Sequence, residues 1–261
     1  MEIPIYQIDA FAEKLFSGNP AAVCPLVNWI PVELMQQIAS ENNLSETAFF
    51  VKEGDVYLIR WFTPVAEVDL CGHATLASAH AVFKYLDPSA RKITFNSNSG
   101  PLVVERENNL LKMEFPSNMP ESCETPPELV AGLGLTPQGV WRSDDYLVLY
   151  PDEETIGSIR PDFQQLKKVG LRGVIITAPG RSVDFVSRFF APNYGIDEDP
   201  VTGSAHTILT PFWAEKLGKK RMHARQLSWR GGELFCEDAG DRTFIAGRAV
   251  DYMQGIIFVD V

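Results

Sequence analysis

Residues 3–11 carry apolar side chains at close to every second position, a period that predicts an opening strand. The breaker Gly18-Asn-Pro20 follows, and residues 21–26 read as a second strand. Pro31, with Leu34 and Ile38 at helical spacing, predicts a helix over residues 31–40. A polar turn, Asn43-Leu-Ser-Glu46, then runs into β-rich stretches at 47–51 and 57–62. Residues 74–83 contain no acid, lysine or arginine on any face, the pattern of a helix buried inside a curved sheet. Strands at 92–95, 102–105 and 110–115 read as a meander. The second half predicts a strand at 146–149, a helix at 160–169, and strands at 174–177 and 183–190. A second uncharged helix follows over 204–214, with Gly218 as its stop and Pro211 expected to kink it or delay its start. Strands at 233–237, 244–249 and 256–259 close the chain.

The two halves repeat one another. Arg60-Trp-Phe-Thr-Pro64 leads to Cys71-Gly-His-Ala-Thr75, and Arg188-Phe-Phe-Ala-Pro192 leads to Thr202-Gly-Ser-Ala-His206. Gly72 and Ala74 match Gly203 and Ala205 once three residues are inserted. A period of about half the chain is too long for a solenoid and implies two lobes of similar build. Two such lobes suggest a cleft with the glycine turns facing it. The proline-rich stretch 116–127 marks the boundary, so the lobes are expected over 1–117 and 118–261.

Composition narrows the classes. The 261 residues suffice for one large domain or two ordinary ones. A net charge of −11 with scattered basic residues argues against nucleic acid and anionic membrane as partners. The first residues lack a basic segment and a long apolar one, so no secretory signal is expected. No apolar run approaches the roughly 20 residues of a bilayer span. The four cysteines, Cys24, Cys71, Cys123 and Cys236, are widely spaced, which fits reduced thiols in the cytoplasm rather than a zinc ribbon.

The chemistry concentrates at the repeated turns. Each would enter a buried helix at its N-terminus, where unpaired N–H groups and the helix dipole suit a carboxylate or a developing enolate. Gly72 and Gly203 would let backbone approach a ligand closely, or merely permit tight packing. Glu46, between a polar turn and an apolar strand, suits a general base, or is a solvated loop carboxylate. His73 opens an apolar helix as an acid/base or as a hydrogen-bonded cap. Asp199 precedes Pro200 and could equally cap a helix. Ser204 and His206 lack the elbow of a serine hydrolase. Cys71 faces Thr202 in the repeat, so no thiol pair exists.

Taken together, Asp9-Ala-Phe11, Gly18-Asn-Pro20-Ala-Ala-Val23, Asn43-Leu-Ser-Glu46-Thr, Phe62-Thr-Pro64, Gly72-His-Ala-Thr75 and Asp199-Pro-Val-Thr-Gly-Ser-Ala205 resemble the PhzF-like family of phenazine-biosynthesis isomerases, in order along nearly the whole chain. The resemblance implies an α+β, diaminopimelate-epimerase-like fold: two pseudo-equivalent lobes, each a curved sheet around a central helix, with residues 256–261 returning to the first. It also implies no metal or organic cofactor, a homodimer, and a small carboxylate substrate. By motif, Glu46 takes the role of general acid/base, with His73 and Asp199 as catalytic partners. Gly72, Gly203 and Ser204 take substrate-binding roles. Cys71 stands where related epimerases place one catalytic thiol, and Thr202 replaces the other. That departure favours Glu46 chemistry and leaves a one-thiol racemase open, as well as a binding protein that keeps the fold without catalysis.

Overall fold

The computed structural model describes residues 1–259. Its contacts divide the chain into two compact units, residues 1–114 with 246–261, and residues 115–245.

The first unit contains β1 (Glu2–Ala10), β2 (Asn19–Leu26), α1 (Val32–Asn42), β3 (Glu46–Glu53), β4 (Val56–Phe62), β5 (Glu67–Val68), α2 (Gly72–Ala81), β6 (Lys92–Ser97), β7 (Gly100–Glu107) and β8 (Leu110–Pro116). β1 pairs antiparallel with β2, β2 parallel with β3, β3 antiparallel with β4, β4 parallel with β6, and β6 antiparallel with β7. The parallel step from β4 to β6 is the crossover that α2 supplies. α2 packs against β1, β2 and β3, and all but two of its residues are buried, which is what its uncharged sequence demands. Its two hydroxyls meet backbone rather than strand in the core: Thr75 donates to the Cys71 carbonyl at 2.6 Å and Ser78 to that of Ala74 at 2.7 Å. On the other face of the sheet, Met35, Ile38 and Ala39 of α1 join Ile3, Ala22, Phe49 and Phe62 in a second apolar cluster.

The second unit contains β9 (Glu121–Ser122), α3 (Pro127–Leu133), β10 (Gly139–Arg142), β11 (Tyr146–Leu149), α4 (Glu153–Ser158), α5 (Phe163–Leu166), β12 (Val174–Pro179), β13 (Phe185–Ala191), β14 (Ile196–Asp199), α6 (Gly203–Leu217), β15 (Arg221–Gln226), β16 (Gly232–Asp238) and β17 (Arg242–Gly247). β10 to β11 is antiparallel, β11 to β12 parallel, β12 to β13 antiparallel, β13 to β15 parallel and β15 to β16 antiparallel. This is the succession of the first unit, with α6 in the place of α2. The two lobes are pseudo-equivalent in topology as well as in motif, and the fold is α+β.

The chain then returns to the first unit. β18 (Ala249–Phe258) pairs antiparallel with the whole of β1, from Glu2 opposite Phe258 to Ala10 opposite Ala249. The return thus starts ahead of the expected 256–261, and Asp260 and Val261 lie outside the described residues. The unit boundary falls at 114/115, just before the proline-rich stretch.

Two local expectations need correction. Pro211 does not delay its helix: α6 begins at Gly203 and carries Pro211 in its interior. A proline there leaves the carbonyl four residues earlier without a helical donor. That carbonyl, of Thr207, receives the Asn118 N–H at 3.1 Å instead. The helix expected over 160–169 shrinks to one turn, Phe163–Leu166, started by Asp162, whose carboxylate accepts from the N–H groups of Gln164 and Gln165. No helix among the described residues is long and apolar enough to cross a membrane.

Candidate active site

In the first unit the site grows from the ends of two strands and the start of one helix. β2 and β3 run parallel, with Ala21 opposite Glu46, so the heads of both strands lie side by side. α2 starts beside them with Cys71 as its cap residue, and no side chain caps its first turn. The first N–H groups of such a helix lack carbonyl partners within it. Glu46 and His73 are both nearly closed to solvent, 9% and 6% exposed. Oε2 of Glu46 lies 3.1 Å from Nε2 of His73. The two atoms are within ion-pair distance but off the line of a straight hydrogen bond, and neither has an aligned hydrogen-bond partner. The other ring nitrogen, Nδ1, lies 3.3 Å from Nδ2 of Asn19 and 3.5 Å from Sγ of Cys71. Asn19 is oriented in turn by Ser45, whose hydroxyl donates to Oδ1 at 3.2 Å.

The electrostatics follow from burial and proximity. Burial, reinforced by the charge of Glu46, pushes the Cys71 thiol up against the pull of His73, so the thiol stays protonated at neutral pH. Burial opposes charge on His73, but the Cys71 sulfur and the Glu46 carboxylate outweigh it and hold the imidazole well above the ordinary histidine range. The Glu46 carboxylate acts in the same direction on both groups, favouring the proton on each. The three side chains form one tight cluster: an oxygen of Glu46, the sulfur of Cys71 and a ring nitrogen of His73 all lie within 4.8 Å of one another.

The second unit builds a matching turn. Asp199 ends β14, and Gly203 and Ser204 open α6. Thr202 donates its hydroxyl to Oδ2 of Asp199 at 2.5 Å, and its carbonyl meets Nδ1 of His206 at 2.8 Å. Gln226, fully buried in β15, spans the turn. Its Oε1 accepts from the Thr202 N–H at 2.9 Å, and its Nε2 donates to the Asp199 carbonyl at 2.8 Å and to the Thr202 hydroxyl at 3.1 Å. The repeat extends to ion pairs. Arg60 grips Glu67 through two hydrogen bonds of 2.7 Å, and Arg188 grips Glu198 at 2.7 and 3.0 Å. In each unit the pair ties the strand before the turn to the strand leading into it.

The structure therefore gathers Glu46, Gly72 and His73 in one unit, and Asp199, Gly203 and Ser204 in the other. Sequence reasoning missed Asn19, Ser45 and Gln226. Asn19 and Ser45 do sit inside the Gly18-Asn-Pro20 and Asn43-Leu-Ser-Glu46 motifs, which is the signal that could have found them. Gln226 had none.

The fold and the duplicated helix starts define an epimerase-like, two-lobed protein. Residues 8–255 match the sequence profile of the phenazine biosynthesis-like family, PhzC-PhzF. Over 257 residues the chain is 52% identical to a protein of Pseudomonas aeruginosa named an uncharacterized isomerase, covering 98% of this chain and 99% of that one. A PhzF-family phenazine biosynthesis protein from Enterococcus faecalis superposes with a TM-score of 0.98 at 48% identity, covering 99% of this chain and all of that one. A hydroxyproline epimerase of Agrobacterium vitis, with trans-4-hydroxy-L-proline bound, shares the fold at a TM-score of 0.58 and 9% identity, covering 98% of this chain and 92% of that one. The chain belongs to the phenazine biosynthesis-like family, and that family is one of isomerases.

Proposed function

We propose that the protein is a cofactor-independent isomerase that moves a proton between carbons of a small cyclic carboxylate, with Glu46 as general acid/base. The observation that carries this reading is the buried 3.1 Å contact between Glu46 and His73 at the uncapped start of α2. In the first step the Glu46 carboxylate takes a proton from a carbon conjugated with the substrate carboxylate. The C–H pair flows into the conjugated system, and the negative charge meets the free N–H groups of Gly72 and His73. In the second step the Glu46 carboxyl returns the proton to another carbon, restoring the enzyme. His73 steadies Oε2 of Glu46, leaving Oε1 to the substrate. Asp199, Gly203 and Ser204 are assigned to proton and substrate handling by their motif. A homodimer in the cytoplasm is part of the same proposal.

The test is solvent deuterium incorporation, read by mass spectrometry, with cyclic dienes, hydroxyanthranilate-like acids and amino acids offered as substrates. Label should enter a carbon position with the wild type and not with Glu46→Gln. An active Glu46→Gln variant sinks the assignment. One observation favours a second reading, a Cys71-dependent racemase or epimerase: the Cys71 sulfur lies 3.5 Å from His73 Nδ1. In that case label depends on Cys71 and survives Glu46→Gln. A chain that binds a small carboxylate tightly and exchanges no carbon-bound proton would instead be a binding protein.

A further inference from the structure

We infer that Asn19 is a positioning residue for proton transfer: its carboxamide keeps a ring proton of His73 on Nε2, so that Glu46 takes up and returns the substrate proton at Oε1. Asn19 opens β2 as Glu46 opens β3, and each side chain reaches the His73 ring at the first turn of α2, one from each side. Asn19 is fully buried, and a buried carboxamide persists where its polar atoms find partners. Its Oδ1 accepts from the Ser45 hydroxyl at 3.2 Å. That leaves Nδ2, a group that can only donate, as the atom 3.3 Å from Nδ1 of His73.

Both edges of the imidazole call for the same tautomer. Nδ1 meets the Asn19 amide and, at 3.5 Å, the Cys71 sulfur, whose thiol proton makes it a second, weaker donor. Nε2 meets an acceptor, Oε2 of Glu46, at 3.1 Å. Among the described residues, Cys71 and Glu46 are the titratable groups acting on the ring. The imidazolium and the Nε2–H tautomer both present a proton to Oε2, whereas the Nδ1–H tautomer presents a lone pair. That lone pair would accept the proton that Glu46 had taken from carbon. The O–H bond would break, an N–H bond would form, and the proton would be stranded on the ring. By disfavouring this tautomer, Asn19 keeps the proton on Glu46 until it returns to carbon. One ring nitrogen is thus set by the partner of the other.

The effect on turnover presupposes the proton-transfer reading; the placement of the ring proton does not. The test reads the ring nitrogens of the ¹⁵N-labelled full chain by long-range ¹H–¹⁵N correlation, which separates a protonated nitrogen from one with a lone pair. His73→Gln identifies the His73 signals among those of the four histidines. Spectra from about pH 6 to about pH 10 cover the ordinary histidine range and extend well above it. The neutral wild-type ring is expected to carry its proton on Nε2. Asn19→Asp keeps the shape but sets an acceptor against Nδ1, so the neutral ring should hold its proton there. Asn19→Leu removes the amide, and both tautomers should appear. In each variant deuterium exchange into substrate should fall by about 10²-fold, the cost of a misplaced catalytic group, in kcat rather than KM. If one variant does not fold, as judged by circular dichroism, the other carries the test. A wild-type ring with its single proton on Nδ1, or one that never becomes neutral over this range, overturns the proposal. So does a proton that stays on Nε2 in the variants. A ring proton that obeys Asn19, in a chain whose Glu46→Gln variant still catalyses exchange, sinks the proton-transfer reading alone. An inactive Glu46→Gln variant with a ring proton indifferent to Asn19 sinks only the role of Asn19.

Discussion

Oε2 of Glu46 stands 3.1 Å from Nε2 of His73, which joins the head of β3 to the first turn of α2. A carboxylate held against an imidazole, both nearly closed to solvent, suits proton transfer, because each partner adjusts the other's charge where water cannot. Glu46→Gln keeps the shape and removes the base, so deuterium incorporation should vanish while the melting temperature holds. His73→Gln removes a partner, and exchange should fall by about 10²–10⁴-fold, the usual contribution of a positioned acid or base. Wild-type rates in both variants would place the chemistry elsewhere.

The duplicated arginines make a stability comparison between equivalent positions. Arg188 is 8% exposed and, besides Glu198, donates to the carbonyls of Ile156 and Ile159 at 3.1 and 2.8 Å. Arg60 and Glu67 have side chains 28% and 27% exposed. Breaking a buried pair strands a charge and costs about 3–5 kcal/mol, whereas a more solvated pair contributes about 1 kcal/mol or less. Arg188→Met should therefore lower the urea midpoint far more than Arg60→Met. Equal losses would mean that burial does not set the difference.

Much of this architecture was legible in the sequence because it is written in periodicity and in breakers. The uncharged stretch after Gly72 is the buried α2, and residues 146–149 coincide with β11. The matched Arg60 and Arg188 foretold the repeated topology, though not that each closes on a glutamate. β15 was missed because its inward positions are Met222, Ala224 and Gln226: two weak strand formers and a polar amide give no apolar alternation. The continuity of α6 through Pro211 depends on the Asn118 N–H, far away in sequence. Asn19 and Ser45 were visible only as motif letters, because their roles arise from parallel strands bringing two loop ends together.

His206 predicts an acid limb in the stability profile. Burial lowers its pKa to about 4, against the pull of the Thr202 carbonyl. An unfolded chain binds that proton below about pH 6.5, while the folded chain refuses it until about pH 4. Stability contributed by the neutral, buried ring is thus fully present above pH 6.5. It is lost as pH falls through that window, by about 3 kcal/mol in all. Melting temperatures recorded from about pH 7 to about pH 4.5 should fall more steeply for the wild type than for His206→Gln, which cannot titrate. Parallel curves would remove His206 from the account.

Gln226 gives the sharpest test of how the second turn is held. Its carboxamide accepts from the Thr202 N–H and donates to the Asp199 carbonyl, so one buried side chain fixes both ends of the segment that leads into α6. Gln226→Leu preserves bulk and removes every one of these bonds. Each buried polar group left without a partner costs about 1–3 kcal/mol, and the segment should respond by opening locally before the protein unfolds. Hydrogen exchange read by mass spectrometry should then show lost protection across 199–203, with the β15–β16 ladder retained. Gln226→Glu keeps the acceptor for Thr202 but sets a carboxylate against the Asp199 carbonyl, so it should loosen the same segment rather than rescue it. Protection unchanged in both variants would show that the turn is held without Gln226.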